Sequence, residues 1–234
     1  MYNHFFDVSP GTWQELEVMV TQAFDEMGYE SSRNHELETV RGRVKVDVYA
    51  IKKAAPIPTL VLCECKHWRK PVDQSIVYAF RSVCVDVGAH FGIIISKVGF
   101  QSGADATRAA TNIHLLNFDN FQSTYFEEWR AGIFMRLAKM SGHLKILIPM
   151  NPYASNLTTL QKKLEEINIF AKYEVFFGKN PFTSFFIESS DFPVTVIDPR
   201  GDPKVLNRVK IDSHRQYFEI SKEGYTDACR YFGI

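Results

Sequence analysis

No run in these 234 residues is long and apolar enough to cross a bilayer; the longest hydrophobic stretches have the length of single strands. Excess charge is lacking too. The 27 basic and 27 acidic residues cancel, so net charge alone does not point to nucleic acid, and any such contact must rest on a local basic patch. Cysteine is scarce, with Cys63, Cys65, Cys84 and Cys229 only. Two of these are one residue apart on an expected strand and no secretory leader precedes them, so the expectation is reduced thiols in a soluble, cytoplasmic protein. What is plentiful is apolar side chain, 45% of the chain, enough for one large domain or for a domain with a smaller companion.

One short stretch, Leu60-Val61-Leu62-Cys63-Glu64-Cys65-Lys66-His67, carries an acid and a base where a core strand carries hydrocarbon. Strand side chains alternate between faces, so Glu64 and Lys66 project from one side and Cys63 and Cys65 from the other. Upstream, Val44, Val46 and Val48 are expected to share a face, with Asp47 looking out from the opposite one. Two adjacent strands would then gather Asp47, Glu64 and Lys66. The plain alternative is the solvent face of an antiparallel hairpin, where acids and lysines are common. Cys63, Cys65 and His67 are all metal-ligand types, but a structural zinc needs a fourth ligand and a tighter turn. Core packing of the two cysteines is the expectation.

Along the chain, Thr12 is placed to cap a helix from Trp13 whose stripe is Leu16, Val20, Ala23, Phe24 and Met27, stopped by Gly28. Glu17 lies beside that stripe, placed either to face solvent or to point toward Asp47. Residues 31 to 41 read as a loop or ragged edge strand. After the two acid-bearing strands, Asp73 or Ser75 caps a helix to about Val87, Phe91 to Ser96 is a strand buried on both faces, Ser102 to Thr111 is a helix, and Ile113 to Phe118 is a strand. A long helix is expected from Phe121 to Met140, ended by Ser141-Gly142. Beyond it come strands at Lys145–Met150, Tyr173–Phe177, Thr183–Ile187, Val194–Ile197 and Tyr217–Ile220, and helices at Leu157–Ile167 and Thr226–Tyr231. The expected fold class is α/β, a mixed sheet flanked by helices over residues 1–141, plus a smaller C-terminal α+β domain over 142–234. That second unit shows no catalytic grouping, and Asp198 to Pro203 reads as a loop of polar turns.

Asp47 on one strand, Glu64-Cys65-Lys66 on the next, a preceding helix with Glu17, and the stretch Gly99-Phe100 to Leu116 together resemble the Mrr-like restriction endonuclease domain of the PD-(D/E)XK nuclease superfamily. The resemblance runs from Trp13 to about Phe118. It implies that Asp47 and Glu64 hold a divalent metal, with the Cys65 carbonyl as a further ligand, that Lys66 serves the attacking water, and that Glu17 is an auxiliary residue of the metal site. Many members carry glutamine where Glu64 stands, and a glycine-rich turn and second acid precede the aspartate. Here the basic Arg41-Gly42-Arg43-Val44-Lys45-Val46 stands there, which leaves the metal stoichiometry open.

The implied activity is Mg²⁺-dependent DNA endonuclease, with Mn²⁺ able to substitute, in prokaryotic restriction or defence. Cutting both strands of a duplex implies a homodimer or partner subunit. Arg41, Arg43, Lys45, Lys52, Lys53, Arg69 and Lys70 are candidates for a phosphate track or for an ordinary solvated face. Trp68 is read as a packing residue, with nucleic-acid contact as the other option. Two further readings stay open: a catalytically inactive nuclease-fold module for binding or assembly, and a nuclease acting on RNA or branched DNA.

Overall fold

The computed structural model describes residues 3–53, 56–105, 112–145, 168–169, 171–177 and 191–233. Helix α1, Trp13–Glu26, starts where expected: the Thr12 hydroxyl accepts from the Glu15 amide at 3.2 Å, and Gly28, at φ 89°, ends the helix in a left-handed turn. Strands β1 (Glu30–Thr39), β2 (Gly42–Lys52) and β3 (Thr59–Lys66) follow. Next come α2 (Gln74–Asp86, capped by Asp73), β4 (Phe91–Ser96), α3 (Ser102–Asp105), β5 (Ile113–Leu116) and the long α4 (Phe118–Lys145). The described C-terminal elements are α5 (Glu174–Phe177), β6 (Val194–Ile197), β7 (Arg208–Ile211) and α6 (His214–Phe232).

The first five strands form one mixed sheet in the order β1-β2-β3-β4-β5. Pairs β1–β2 and β2–β3 are antiparallel; β3–β4 and β4–β5 are parallel. A parallel connection needs a crossover, and α2 and α3 supply the two. They cover one face: Val77, Phe80, Cys84 and Ala104 pack with Leu62, Ile94 and Leu115. Helices α1 and α4 cover the other, where Leu16, Val20, Phe24, Phe121 and Trp129 pack with Val48, Cys63, Cys65 and Ile95. The fold class is therefore α/β, a mixed sheet between helical layers. Leu60 to Cys63 of β3 and Gly92 to Ile95 of β4 are continuous apolar runs because both faces of the sheet are roofed there.

Several C-terminal expectations change. Ser141-Gly142 does not stop α4. The Ser141 hydroxyl bonds back to the Leu137 carbonyl at 2.8 Å, and Leu144 extends the buried stripe, so the helix runs on to Lys145. The boundary expected between 141 and 142 falls inside this helix. Tyr173–Phe177, expected as a strand, contributes Glu174–Phe177 to the one-turn α5. Tyr217–Ile220 is part of α6, where Tyr217, Ile220, Ser221, Gly224 and Ala228 recur at helical spacing, capped by Ser213. Four residues were too few to separate the two periods. Strand Val194–Ile197 is present and pairs with β7. The segments expected at 146–150, 157–167 and 183–187, and the end of the helix over 102–111, lie outside the described residues.

The C-terminal helix shares the first core. Ile211, Tyr217, Phe218 and Ala228 belong to the same cluster as Phe5, Phe126 and Trp129. At its centre Arg215 pairs with Glu26 of α1 at 2.6 Å, donates to the Phe5 carbonyl at 2.7 Å, and lies 5.0 Å from the Trp129 ring centroid. Burial alone would raise the Glu26 carboxyl. Hydrogen bonds and charge from Arg215, with the Trp129 indole and Gln22, outweigh burial and hold it below the usual carboxylate range.

Candidate active site

Strands β2 and β3 pair from Lys52↔Thr59 to Val48↔Cys63 and then part. Beyond that point β3 continues alongside β4 as far as Lys66↔Ser96, so its other edge is open over Glu64 to Lys66. Asp47 stands at the fork. Its carboxylate accepts a hydrogen bond from the Cys65 amide at 2.7 Å, in place of the lost ladder. The N–H and C=O of one strand residue leave by the same edge; the Cys65 carbonyl therefore also faces the opening.

The alternation expected for β2 breaks at this residue. Val48 packs under α1 and α4, whereas Val46 packs on the α2 side. Opposite the break, β1 pairs with β2 at Arg33↔Val48 and at His35↔Val46, with no pairing at Asn34, whose φ is +53°. The faces are exchanged across the break, and the His35 and Tyr49 rings, on opposite faces of a regular ladder, stack at 4.3 Å. Val46 and Val48 thus do not share a face, and Asp47 is turned sideways into the fork instead of outward from the sheet. A paired irregularity of this kind re-aims a side chain next to a site, as bulges do.

Glu64 and Lys66 project together as expected. The Lys66 ammonium forms a close ion pair with a Glu64 oxygen and lies 4.0 Å from Asp47 Oδ2. Their side chains are 15% (Lys66), 20% (Glu64) and 24% (Asp47) exposed. Glu17 comes from α1, is 4% exposed, and its Oε2 is buried with no hydrogen-bond partner among the described residues. Burial first and then the Asp47 charge raise the Glu17 carboxyl, with the Arg33 guanidinium and Asn34 amide opposing and Glu64 adding to the rise. Burial and Asp47 likewise raise Glu64, against Lys66. Two carboxylates, Asp47 and Glu64, thus share the one Lys66 ammonium, while the cation acting on Glu17 is Arg33.

Among the described residues no three His, Cys, Asp or Glu side chains form a ready metal cage. The donors that do meet, two carboxylates at the fork and a carbonyl edge, are hard oxygens of the kind that hold Mg²⁺ through few protein ligands and several waters. A buried, unpartnered Glu17 oxygen behind them is a group that added positive charge relieves. The set fits a divalent cation. The cysteine thiols take no part: the Cys63 and Cys65 side chains point into the core, and burial pushes both thiols well up. The His67 Nε2 donates to the Pro10 carbonyl at 3.3 Å.

The basic residues separate into two groups. Arg41 pairs with Asp86, Arg43 with Glu36 and Glu38, Lys52 with Glu128 and Lys53 with Glu30. Lys45, Arg69 and Lys70 have no carboxylate partner among the described residues, and Lys70 lies 5.7 Å from the Trp68 ring centroid. Sequence reasoning missed Arg33 and Asn34, which flank Glu17. The available signal was an asparagine, tolerant of left-handed backbone, inside a polar strand.

No described helix is long and apolar enough to cross a membrane. Residues 9–125 match the family model described as a restriction endonuclease, Mrr_cat. No curated protein matches the sequence. A solved structure titled "Crystal Structure of Protein of Unknown Function AF1548" is 16% identical, with a TM-score of 0.39, over 65% of this chain and 92% of that one. Since the family match spans half of the 234 residues and contains the whole fork, the chain belongs to the Mrr-like restriction endonuclease family and carries its nuclease domain.

Proposed function

We propose that this protein is a Mg²⁺-dependent DNA endonuclease that hydrolyses phosphodiester bonds in prokaryotic restriction or defence, with residues 142–234 in an accessory role. The observation that carries the reading is the meeting of Asp47, Glu64 and Lys66 where β2 leaves β3. Asp47 and Glu64 would hold the ion, joined by the Cys65 carbonyl, and Glu17 would act from behind through a water. A bound divalent ion supplies Lewis acidity, making a water more acidic and relieving charge on the phosphate. Lys66 orients the attacking water and stabilises the charge that develops on the phosphate oxygens. Lys45, Arg69 and Lys70 supply cations for the backbone of the nucleic acid, and a homodimer supplies the second site for duplex cleavage.

The test is nicking of supercoiled plasmid under Mg²⁺, with Mn²⁺ as the substitute, by wild type and by Asp47→Ala, Glu64→Ala and Lys66→Ala. Loss of nicking in all three is expected; retention in all three would remove the assignment. The saturation of Glu64 by Lys66 favours a second reading, a nuclease fold kept for binding or assembly. Calorimetry separates the two, because Mg²⁺ uptake that depends on Asp47 belongs to the enzyme alone. Labelled RNA and branched DNA run under the same metal condition decide the polymer.

A further inference from the structure

Trp68 lies two residues beyond Lys66, half-buried at the end of β3. The Lys66 Nζ stands over its ring, 5.2 Å from the centroid, while the same ammonium pairs with Glu64 and lies 4.0 Å from Asp47. Lys70 approaches the same ring at 5.7 Å. The Lys66 ammonium therefore has two kinds of attractive neighbour: carboxylates, and the negative face of an indole.

These two neighbours are unequal under the proposed reaction. A divalent ion held by Asp47 and Glu64 takes the oxygens that Lys66 now occupies and repels its charge. Release into bulk water would carry the ammonium away from the phosphate. With its side chain only 15% exposed, Lys66 is enclosed on most sides, and the indole is the attractive surface left within reach. Cation–π attraction strengthens where water is excluded, and tryptophan is the best of the aromatic partners. Lys70 is exposed, so a backbone phosphate can draw it off the ring and leave the face to Lys66.

We propose that Trp68 is a positioning residue, its indole being the seat on which the Lys66 ammonium rests once Glu64 is engaged by a divalent cation. This inference rests on the metal-dependent nuclease reading. It gives Trp68 a role that packing alone does not require. It also gives the Glu64–Lys66 ion pair a place in the cycle, as the arrangement that neutralises the site before the ion is held.

The experiment uses the full chain and Mg²⁺ alone, without nucleic acid. Tryptophan emission is followed during a Mg²⁺ titration in wild type, Trp68→Phe and Lys66→Met, with uptake measured in parallel by calorimetry. A change in emission that saturates with Mg²⁺ uptake is expected in wild type and is absent from both variants. Plasmid nicking then compares Trp68→Leu, which stays apolar but has no π face, with Trp68→Phe. The leucine variant is expected to lose roughly tenfold or more in kcat with its Mg²⁺ affinity unchanged, and phenylalanine to restore most of it. Mg²⁺ uptake with a silent Trp68, or wild-type nicking by a folded Trp68→Leu, overturns the proposal and leaves the nuclease reading standing. Absence of Mg²⁺ uptake by wild type removes that reading and this one with it. If Trp68→Leu does not fold, the emission arm still decides.

Discussion

The Cys65 amide donates to the Asp47 carboxylate at 2.7 Å, one step beyond the last ladder pair of β2 with β3. A single side chain thus serves as the clasp that holds the fork at its opening and as a candidate metal ligand.

That double duty predicts a separation between two substitutions. Asp47→Ala leaves the Cys65 amide without its acceptor and is expected to cost about 1–3 kcal/mol in urea denaturation. Asp47→Asn retains an oxygen acceptor and is expected to be the more stable of the two. Both are expected to lose Mg²⁺-dependent nicking. Equal stability of the two variants would show that the hydrogen bond does not hold the fork.

Glu17 predicts a pH signature. Its folded carboxyl is raised, by burial first and then by Asp47, so folding favours the protonated form. The stability it contributes is full below the unfolded value, about 4.3, and is lost as pH rises through the folded one. Glu17→Gln removes that loss. In metal-free protein the variant is expected to melt higher than wild type at neutral pH, with the gap closing as the pH falls toward 4. Parallel melting curves across that window would count against a strained carboxylate.

Arg215 predicts the opposite dependence. Arg215→Ala leaves Glu26 buried beside Trp129 with its cation gone, and an uncompensated buried charge costs about 3–5 kcal/mol. Chemical denaturation is the measurement, and Glu26→Gln added to Arg215→Ala is expected to recover part of the loss. Because the Glu26 carboxyl is held low, its contribution in wild type is present above the unfolded carboxylate value and disappears as pH falls through the folded one.

Two glycines of α4 predict opposite signs for one substitution. A Cβ at Gly132 would sit 2.2 Å from the Glu26 carbonyl oxygen and 2.8 Å from the Met27 Cα, backbone at the C-terminal end of α1, so Gly132→Ala is expected to cost about 1–3 kcal/mol. At Gly142 nothing lies within 4 Å of the added carbon, and Gly142→Ala is expected to stabilise the helix by about 0.5–1 kcal/mol. Thermal melts of the pair check both signs.

Much of the nuclease domain was legible because its signals are local. Thr12 and Asp73 cap the helices they precede, and the apolar runs of β3 and β4 announce strands covered on both faces. The spacing of Glu64 and Lys66 put both groups on one face from the pleat alone. Less legible was the C-terminal part, where Tyr217 to Ile220 fits a strand over four residues and a helix over nineteen. Arg33 and Asn34 escaped notice because their place beside Glu17 depends on a pairing between strands, which no local pattern records.

The sequence by itself determined which residue types are available for metal-assisted hydrolysis and which elements carry them, since capping, alternation and helical stripes act over neighbouring residues. Only the tertiary structure decided that Asp47 turns sideways into an open edge of β3, that Lys66 lies between carboxylates and an indole, and that α6 enters the first core. Those outcomes follow from β2 leaving β3 after Val48 and from Arg215 reaching Glu26. Both join residues distant along the chain, and such partners are chosen by packing and charge in three dimensions.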